Sequence, residues 1–527
     1  MFKVLITDPL SEFGIQKLLD APDVEVVKQT NLSPSDLLQV IGDYDALLVR
    51  SQTQVTAEVL QAGKKLKAVG RAGVGVDNIN INAATEAGIV VINAPDGNTV
   101  STAEHSFAML MAVARNIPQA HKKLVDGTFD RKSFQGVELN NKTLGIIGMG
   151  RIGTEVAKRA KAFNMKVIGY DPFLTDERAQ KLGVINGSVE DIVTQADFIT
   201  VHTPLTKETR YILSSREFNK MKPGVRVVNC ARGGIIDEKA LYEAIISGKV
   251  AGAALDVFEV EPPVDNPLIG LPQVVTTPHL GASTVEAQEN VAIDVSEELL
   301  KVLRGQPFKN AVNLPSIPAH VLEKVQPYFA LGEKLGNFLA QVTLGALQEF
   351  TITYSGELAE VDTAPLTRTI LKGVLAYRLG DEVNYVNAPH LAKTRDITVT
   401  EQKSSLNKGF TNLLTVTLKT NQQSRTVAGT LLNGYGARIV KIDDFSIDVA
   451  PEGYLLYIHH NDRPGVIGRV GTILGGNDVN IATMQVGRRG VGGDAIMLLT
   501  VDKPVTSDLL DSLGELSEVS SVTQIEL

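Results

Sequence analysis

The chain has 527 residues, 43% of them hydrophobic and 21% charged, a composition that builds buried cores and excludes wholesale disorder. Fifty-one basic against sixty acidic side chains leave a net charge of −9. That balance excludes a dedicated nucleic-acid or anionic-membrane binder, whose mark is a surplus of Lys and Arg. A single cysteine, Cys230, excludes an intrachain disulfide framework and a multi-cysteine metal site, and no metal is expected.

At about 150 residues per domain the length predicts three or four domains. The start, MFKVLITDPL, lacks a basic stretch followed by a long apolar run, and no run of about 18 apolar residues follows, so neither a signal peptide nor a membrane span is expected. From there short apolar runs alternate with helical spacing: KVLIT (3–7), ALLVR (46–50), LKAVGR (66–71) and GIVVINA (88–94) read as strands. Strands that alternate with helices imply parallel pairing through right-handed crossovers. A long amphipathic helix is predicted over 98–116, with Asn98 and Thr99 as caps and Pro118 beyond its end.

A second series follows in TLGIIGMG (143–150), KVIGYD (166–171), FITVHTPL (198–205), GVRVVNCAR (224–232), AGAALDVF (251–258) and QVVTTPHL (273–280). Near-continuous apolar runs of this kind suit strands covered on both faces. A helix over about 283–304, ending at Gly305, is predicted to pack back on the first sheet. Pro315 and Pro318 mark a linker. Beyond it lie helix-like stretches around 322–347 and 365–378 and strand-like stretches at 349–356 and 413–420, without a chemical motif; Arg438 and Lys441 are the only anion candidates there. After VAPEGY (449–454) the tail reads strand, helix, strand, strand, helix, strand, the ferredoxin-like βαββαβ order.

GMGRIG supplies Gly148-x-Gly150-x-x-Gly153 after an apolar strand and at the start of a helical pattern. In that context it is a dinucleotide fingerprint: Gly148 permits the turn, Gly150 removes a Cβ where a pyrophosphate approaches, and Gly153 lets helix and strand pack closely. The helix N-terminus faces the phosphates, with Arg151 beside it. Asp171, at the end of the next strand, suits ribose hydroxyls and repels a 2′-phosphate, which favours NAD over NADP.

Oxidising a secondary alcohol needs a base for its proton. Of eight His residues, His279 ends the last strand of the second sheet, where ligands of open parallel sheets bind. Glu261, at another strand end, can hold one ring nitrogen and fix the tautomer. Arg232, before Gly233-Gly234, offers a guanidinium fork for a carboxylate. Asp256 is read as facing the nicotinamide, and His202 as a cofactor-facing position. His105 and His121 are assigned packing or rim roles.

GMGRIG…YDP, VHTPL, NCARGGIID, ALDVFEVEPP and TPHLGAST resemble the D-isomer-specific 2-hydroxyacid dehydrogenases. VRSQTQVT, GRAGVGVDNI, NAPDGNTVSTAEH, VNAPHLAKTR, LNGYGARIVKID and HHNDRPGVIGRVGTILGGNDVNI extend the likeness, over nearly the whole chain, to the long form with an intervening domain and a C-terminal ACT module. The resemblance implies an α/β protein of two doubly wound parallel-sheet domains: a substrate-binding domain (1–97, completed by 286–312) and an NAD-binding Rossmann domain (98–285). An α+β intervening domain (313–450) and a ferredoxin-like ACT regulatory domain (451–527) would follow. Arg232, Glu261 and His279 take the catalytic roles. Cofactor contacts fall on Arg151, Ile152, Asp171, Thr203, Cys230, Ala231, Asp256 and the His279–Ala282 stretch, including Gly281 and Ala282. Val74 joins them through its backbone, where some relatives carry Thr.

The activity so implied is NAD-dependent oxidation of 3-phospho-D-glycerate to 3-phosphohydroxypyruvate, the entry to serine biosynthesis. Its phosphate needs a second anion site, for which Arg50, Arg71 and Asn98 are candidates, with Arg131 and Lys132 reaching a neighbouring subunit's cleft. L-serine is the expected effector, held between two ACT copies by His460, Asp462 and Asn480. A cytoplasmic homodimer or homotetramer follows. The alternatives are another 2-hydroxyacid dehydrogenase, such as a hydroxypyruvate or glyoxylate reductase lacking the phosphate site, and an NAD-sensing binding protein, which would not need the base.

Overall fold

The structure is a computed structural model that describes residues 1–315, 317–406 and 409–527. Its first sheet is wholly parallel. β1 (Phe2–Ile6), β2 (Val24–Lys28), β3 (Ala46–Val49), β4 (Ala68–Arg71) and β5 (Val90–Asn93) lie in the order β2-β1-β3-β4-β5. The helix Val285–Leu303 returns to cover it, burying Val291, Ala292, Val295 and Leu299 against Val4, Ile6, Leu48 and Ile92. The chain that follows binds the edge of β5, with the Val312 amide donating to the Val91 carbonyl at 2.7 Å. Gly305, with φ +64°, ends the helix as its position predicts.

β6 (Thr143–Ile147), β7 (Lys166–Tyr170), β8 (Ile185–Asn186), β9 (Phe198–Val201), β10 (Val225–Asn229), β11 (Val250–Leu255) and β12 (Val274–Thr276) form a second parallel sheet, in the order β12-β11-β10-β9-β6-β7-β8. The order reverses between β6 and β9. That switch point is where such sheets take their ligands. The helix Thr99–Arg115 crosses from the first domain and buries Ala103, Phe107, Leu110 and Val113 in the second. Asn98 begins this helix without a side-chain cap, and Asn98 Oδ1 and Thr99 Oγ1 are buried without partners. The expected caps are therefore corrected: both side chains turn inward.

The third sheet is mixed. β13 (Leu347–Gly356) pairs in parallel with β14 (Thr398–Ser404) and antiparallel with β15 (Asn412–Thr420); β16 (Ser424–Leu432), β17 (Gly436–Ile442) and β18 (Phe445–Val449) continue as a meander. The helices Phe329–Val342 and Ala364–Leu379 pack against one another and cover one face of this sheet. The tail folds as β19 (Tyr454–Asn461), β20 (Ile481–Arg488), β21 (Asp494–Val501) and β22 (Val519–Glu526), ordered β20-β21-β19-β22, with helices Val466–Gly476 and Ser507–Gly514. Alternation assigns its strand residues to two faces. Leu456, Ile458, Met497 and Leu499 meet the tail's own helices, while Leu455, Tyr457, Ile496 and Leu498 join the core around Phe338 of the intervening domain. The central strands β19 and β21 are thereby buried on both faces. Among the described residues, no helix is long and apolar enough to cross a membrane.

Candidate active site

The fingerprint adopts the geometry its glycines require. Gly148 has φ +100°, and a Cβ there would fall 2.5 Å from the His202 carbonyl oxygen. The helix Arg151–Ala162 starts beyond Gly150, where a Cβ would meet nothing within 4 Å, and Gly153 lies against the Gly148 carbonyl. Thr203 Oγ1, beside Gly148, is buried without a partner. An open helix N-terminus with an unpartnered hydroxyl fits a dinucleotide pyrophosphate. Asp171 accepts from the amides of Met149 (3.0 Å) and Phe173 (2.9 Å). A carboxylate has about four lone-pair sites, so capacity remains for a ribose. Arg151 pairs with Asp96 of the first domain.

At the carboxyl edge of the same sheet, His279 Nδ1 meets Glu261 Oε2 at 2.8 Å. Glu261 Oε1 accepts from the Phe258 amide at 3.1 Å. Burial pushes the Glu261 carboxyl up, but the His279 and Phe258 bonds outweigh it and hold it below its ordinary value. Nε2 of His279 has no partner among the described residues, and a cavity of about 360 Å³ borders the His279–Glu261 pair, lined also by Phe258, Pro262, Ile269 and Thr277. His279 itself has φ +56°. Its amide donates to the Asp256 carbonyl oxygen at 2.9 Å.

Asp256, read from the sequence as facing the nicotinamide, follows β11 at the base of the His279 loop. Its side chain is fully buried, accepting from Thr277 Oγ1 (2.6 Å), the Leu280 amide (2.7 Å) and the Gly281 amide (2.9 Å), with His105 Nε2 at 3.1 Å. Burial alone would raise its carboxyl, yet His105, Thr277 and Leu280 together hold it low. Asp256 therefore ties down the loop that presents His279. Cys230 is buried in the domain core, and burial, with Asp256 nearby, pushes its thiol up. Only its backbone is available to a ligand. His202 sits with Nδ1 buried and Nε2 3.0 Å from Thr200 Oγ1, and desolvation pushes it down to about 4. Ala231 and Ile152 are partly buried and pack against two separate cores of the second domain. Gly281 accepts from Ser101 and Thr102, and Ala282 follows it.

Both domains supply positive charge, Arg232 from the second and Arg50 and Arg71 from the first. Arg232 Nε donates to Asp77 at 2.9 Å across the cleft, and its Nη1 donates to the Ala231 carbonyl at 2.6 Å. Gly75 admits it: a Cβ there would lie 1.8 Å from Arg232 Nη2. Arg71, held by Asn78 at 2.9 Å, is pushed down to about 10 by burial and by Arg232 and Arg50, against the pull of Asp77 and Asp8. Asp8 is buried and accepts the amides of Arg50, Gln52 and Thr53, fixing the loop that carries Arg50. Val74 presents its carbonyl to Asn93 at 2.6 Å. Arg232 thus pairs with one exposed carboxylate, Asp77, and Arg71 lies within electrostatic reach of Asp77, Arg232 and Arg50. Arg131 and Lys132 are exposed in the segment before β6, and no contact joins them to that cluster among the described residues.

Sequence reading missed Asp8, Asp77, Asn78 and the His105–Asp256 contact. Apart from Arg71, seven positions from Asn78, their partners lie 25 to 155 positions away, and no local motif announces them. In the tail, His460 is buried, with Nδ1 2.9 Å from the Asn461 carbonyl and Nε2 unpartnered. Asp462 meets Arg488, and Asn480 donates to Asp502 at 2.8 Å. Asn461 pairs with Asp494 and Ile481 with Val501, at opposite ends of β21. One chain therefore does not bring Asn480 to His460 and Asp462.

A dinucleotide fingerprint at the switch point, a His–Glu pair at the carboxyl edge of the same sheet and an arginine cluster that joins the two domains are the parts of an NAD-dependent dehydrogenase of small 2-hydroxy acids. The family model of the D-isomer specific 2-hydroxyacid dehydrogenase NAD binding domain matches residues 107–281, that of the D-3-phosphoglycerate dehydrogenase intervening domain 324–443, and that of the ACT domain 454–518. The chain is 49% identical over 527 residues to the D-3-phosphoglycerate dehydrogenase of Bacillus subtilis and 47% identical over 528 residues to that of Methanocaldococcus jannaschii, covering 100% of itself and of each relative. The D-lactate dehydrogenase of Aquifex aeolicus, solved with NAD and lactic acid, superposes with a TM-score of 0.52 at 28% identity, over 57% of this chain and 96% of that one. The chain belongs to the D-3-phosphoglycerate dehydrogenase family.

Proposed function

We propose that the chain oxidises 3-phospho-D-glycerate to 3-phosphohydroxypyruvate with NAD. The observations that carry this reading are the His279–Glu261 pair and the nearness of Arg71 to Arg232 and Arg50, whose charges act on it. An acid bearing both a carboxylate and a phosphate needs at least two cationic anchors, and a guanidinium fork suits either group. Arg232 takes the carboxylate; Arg50 and Arg71, with Asn98 and the partner-reaching Arg131 and Lys132, take the phosphate. His279 Nε2 accepts the C2 hydroxyl proton while Glu261 steadies the ring through Nδ1, and the same nitrogen returns the proton in the reverse direction. Bound NAD would supply the acceptor for the C2 hydride. Gly148, Gly150, Arg151, Ile152, Gly153, Asp171, Thr203 and the backbones of Val74, Cys230, Ala231, Gly281 and Ala282 hold it, while Asp256 acts on the nicotinamide side through the loop it fixes.

Serine, the end product of the implied route, is read as the effector. His460 and Asp462 from one ACT copy and Asn480 from a second would hold it, and the separation of these residues within one chain supports a two-copy site. A cytoplasmic homodimer or homotetramer completes the reading. The test is an NADH-absorbance assay with 3-phospho-D-glycerate, run with and without L-serine and against an unphosphorylated D-2-hydroxy acid. Equal kcat/KM for the two acids would favour a hydroxypyruvate or glyoxylate reductase instead.

A further inference from the structure

Two neighbouring residues in the turn after β4 hold cationic groups of both domains. Asp77 accepts from Arg232 Nε, across the cleft, at 2.9 Å. Asn78 is buried and makes its side-chain bonds within the first domain: Oδ1 accepts from Arg71 Nε at 2.9 Å, and Nδ2 donates to the carbonyls of Arg50 at 2.8 Å and Thr53 at 2.6 Å. A primary amide has two N–H donors and one carbonyl. Asn78 spends both donors on carbonyls and its oxygen on a guanidinium, a set of partners that neither Asp nor Ala can satisfy.

The turn itself is fixed by its backbone. The Val55 amide donates to the Asn78 carbonyl at 2.8 Å, the Asn80 amide to the Val55 carbonyl at 3.0 Å, and the Ile79 amide to the Val76 carbonyl at 3.0 Å. The loop 50–53 is held from two sides, its amides by Asp8 and its carbonyls by Asn78. Arg71 and Arg232 repel one another, and Arg50 adds to the effect. Like charges this close stay together only where neighbouring groups hold them. Adjacent Cα atoms lie about 3.8 Å apart, so the two arginines, from different domains, are referred to one short piece of chain.

We propose that Asn78 is a positioning residue for the selection of a doubly anionic substrate: it holds Arg71 and the Arg50 loop at a set spacing from the Arg232 that its neighbour Asp77 orients, so that the carboxylate and the phosphate of one small acid are gauged together. The proposal rests on the reading of Arg232 as the carboxylate anchor and of Arg50 and Arg71 as the phosphate anchors.

The test is the ratio of kcat/KM for 3-phospho-D-glycerate to that for D-glycerate, the same acid without its phosphate. Measured on one preparation, this ratio does not depend on the fraction folded. Asn78→Ala should lower it about a hundredfold, through KM for the phosphorylated acid rather than kcat, the effect of moving a charged contact by about an ångström. The isosteric Asn78→Asp keeps an acceptor for Arg71 and loses the two donors, so the ratio should fall about tenfold. Asn80→Ala removes the N-cap of the helix Ile81–Glu86; it should lower the melting temperature and leave the ratio as it is. An unchanged ratio in Asn78→Ala, or an equal fall in Asn80→Ala, would overturn the proposal, and a native ratio in Asn78→Asp would overturn its Arg50 half. A ratio near one in the native chain would instead sink the phosphate reading beneath it.

Discussion

Arg232 and Asp77 are 155 positions apart in the chain and 2.9 Å apart in space, each from a different domain. The contact sets the direction of the guanidinium on which a substrate carboxylate would land. Asp77→Ala should lower kcat/KM about tenfold, in line with one charge-assisted hydrogen bond. NADH affinity, measured by fluorescence titration, should not move. An unchanged kcat/KM would mean that Arg232 is oriented by Ala231 alone.

His279 carries the proton, so His279→Ala should cut turnover by about 10² to 10⁴-fold, the usual weight of a positioned base. NADH binding should survive. If both disappear together, the histidine is holding the fold of its loop rather than a proton.

The depressed carboxyl of Glu261 has a consequence for stability. A group lowered on folding stabilises the native state above its unfolded value and loses that contribution as pH falls through its folded value. The melting temperature of Glu261→Gln should therefore lie below that of the native chain at neutral pH. The gap should close as pH drops beneath the ordinary carboxyl value of 4.5. A gap that widens in acid would reverse the sign of the interaction.

Asp256 makes the stronger case, because four donors converge on a side chain that is wholly buried. Asp256→Ala should cost about 2–3 kcal/mol, as expected when buried donors lose a charged acceptor. Chemical denaturation would measure it. Within the folded fraction kcat should fall as well, since the 277–281 loop presents His279. A variant of native stability would mean that the loop is held by its backbone.

Arg71→Ala should raise KM for 3-phospho-D-glycerate about a hundredfold, the price of one buried guanidinium–phosphate contact. KM for an unphosphorylated D-2-hydroxy acid should stay within a few-fold. If both rise equally, Arg71 serves the carboxylate or the fold and the phosphate lies elsewhere.

Much of the architecture was readable in the chain. The second sheet was plain because its strands are covered on both faces and read as unbroken apolar runs. Their ends were not: FITVHTPL stops as a strand at Val201, because Pro204 lacks an N–H for the ladder and the chain turns at His202. The helix expected over 322–347 breaks into Ala319–Val325 and Phe329–Val342 around Pro327 for the same reason. β14 escaped notice because TVTEQKS is a polar edge strand with no apolar run to mark it. His279, Glu261 and Arg232 were visible as strand-end residues. Asp8 and Asp77 were not, since a carboxylate that meets its partners only after folding looks like any solvated surface charge.

The helix Phe329–Val342 sits between the mixed sheet and the tail, with Phe338 edge-on to Tyr457 at a centroid distance of 6.1 Å. A protein trimmed after β18 would leave that helix with a greasy flank facing water, prone to sticking and to proteolysis. The two C-terminal modules are thus best regarded as a single cassette: gene fusion or deletion should add or remove them together, and an engineer seeking a short form should cut in the linker near Pro315 rather than ahead of the last seventy-odd residues.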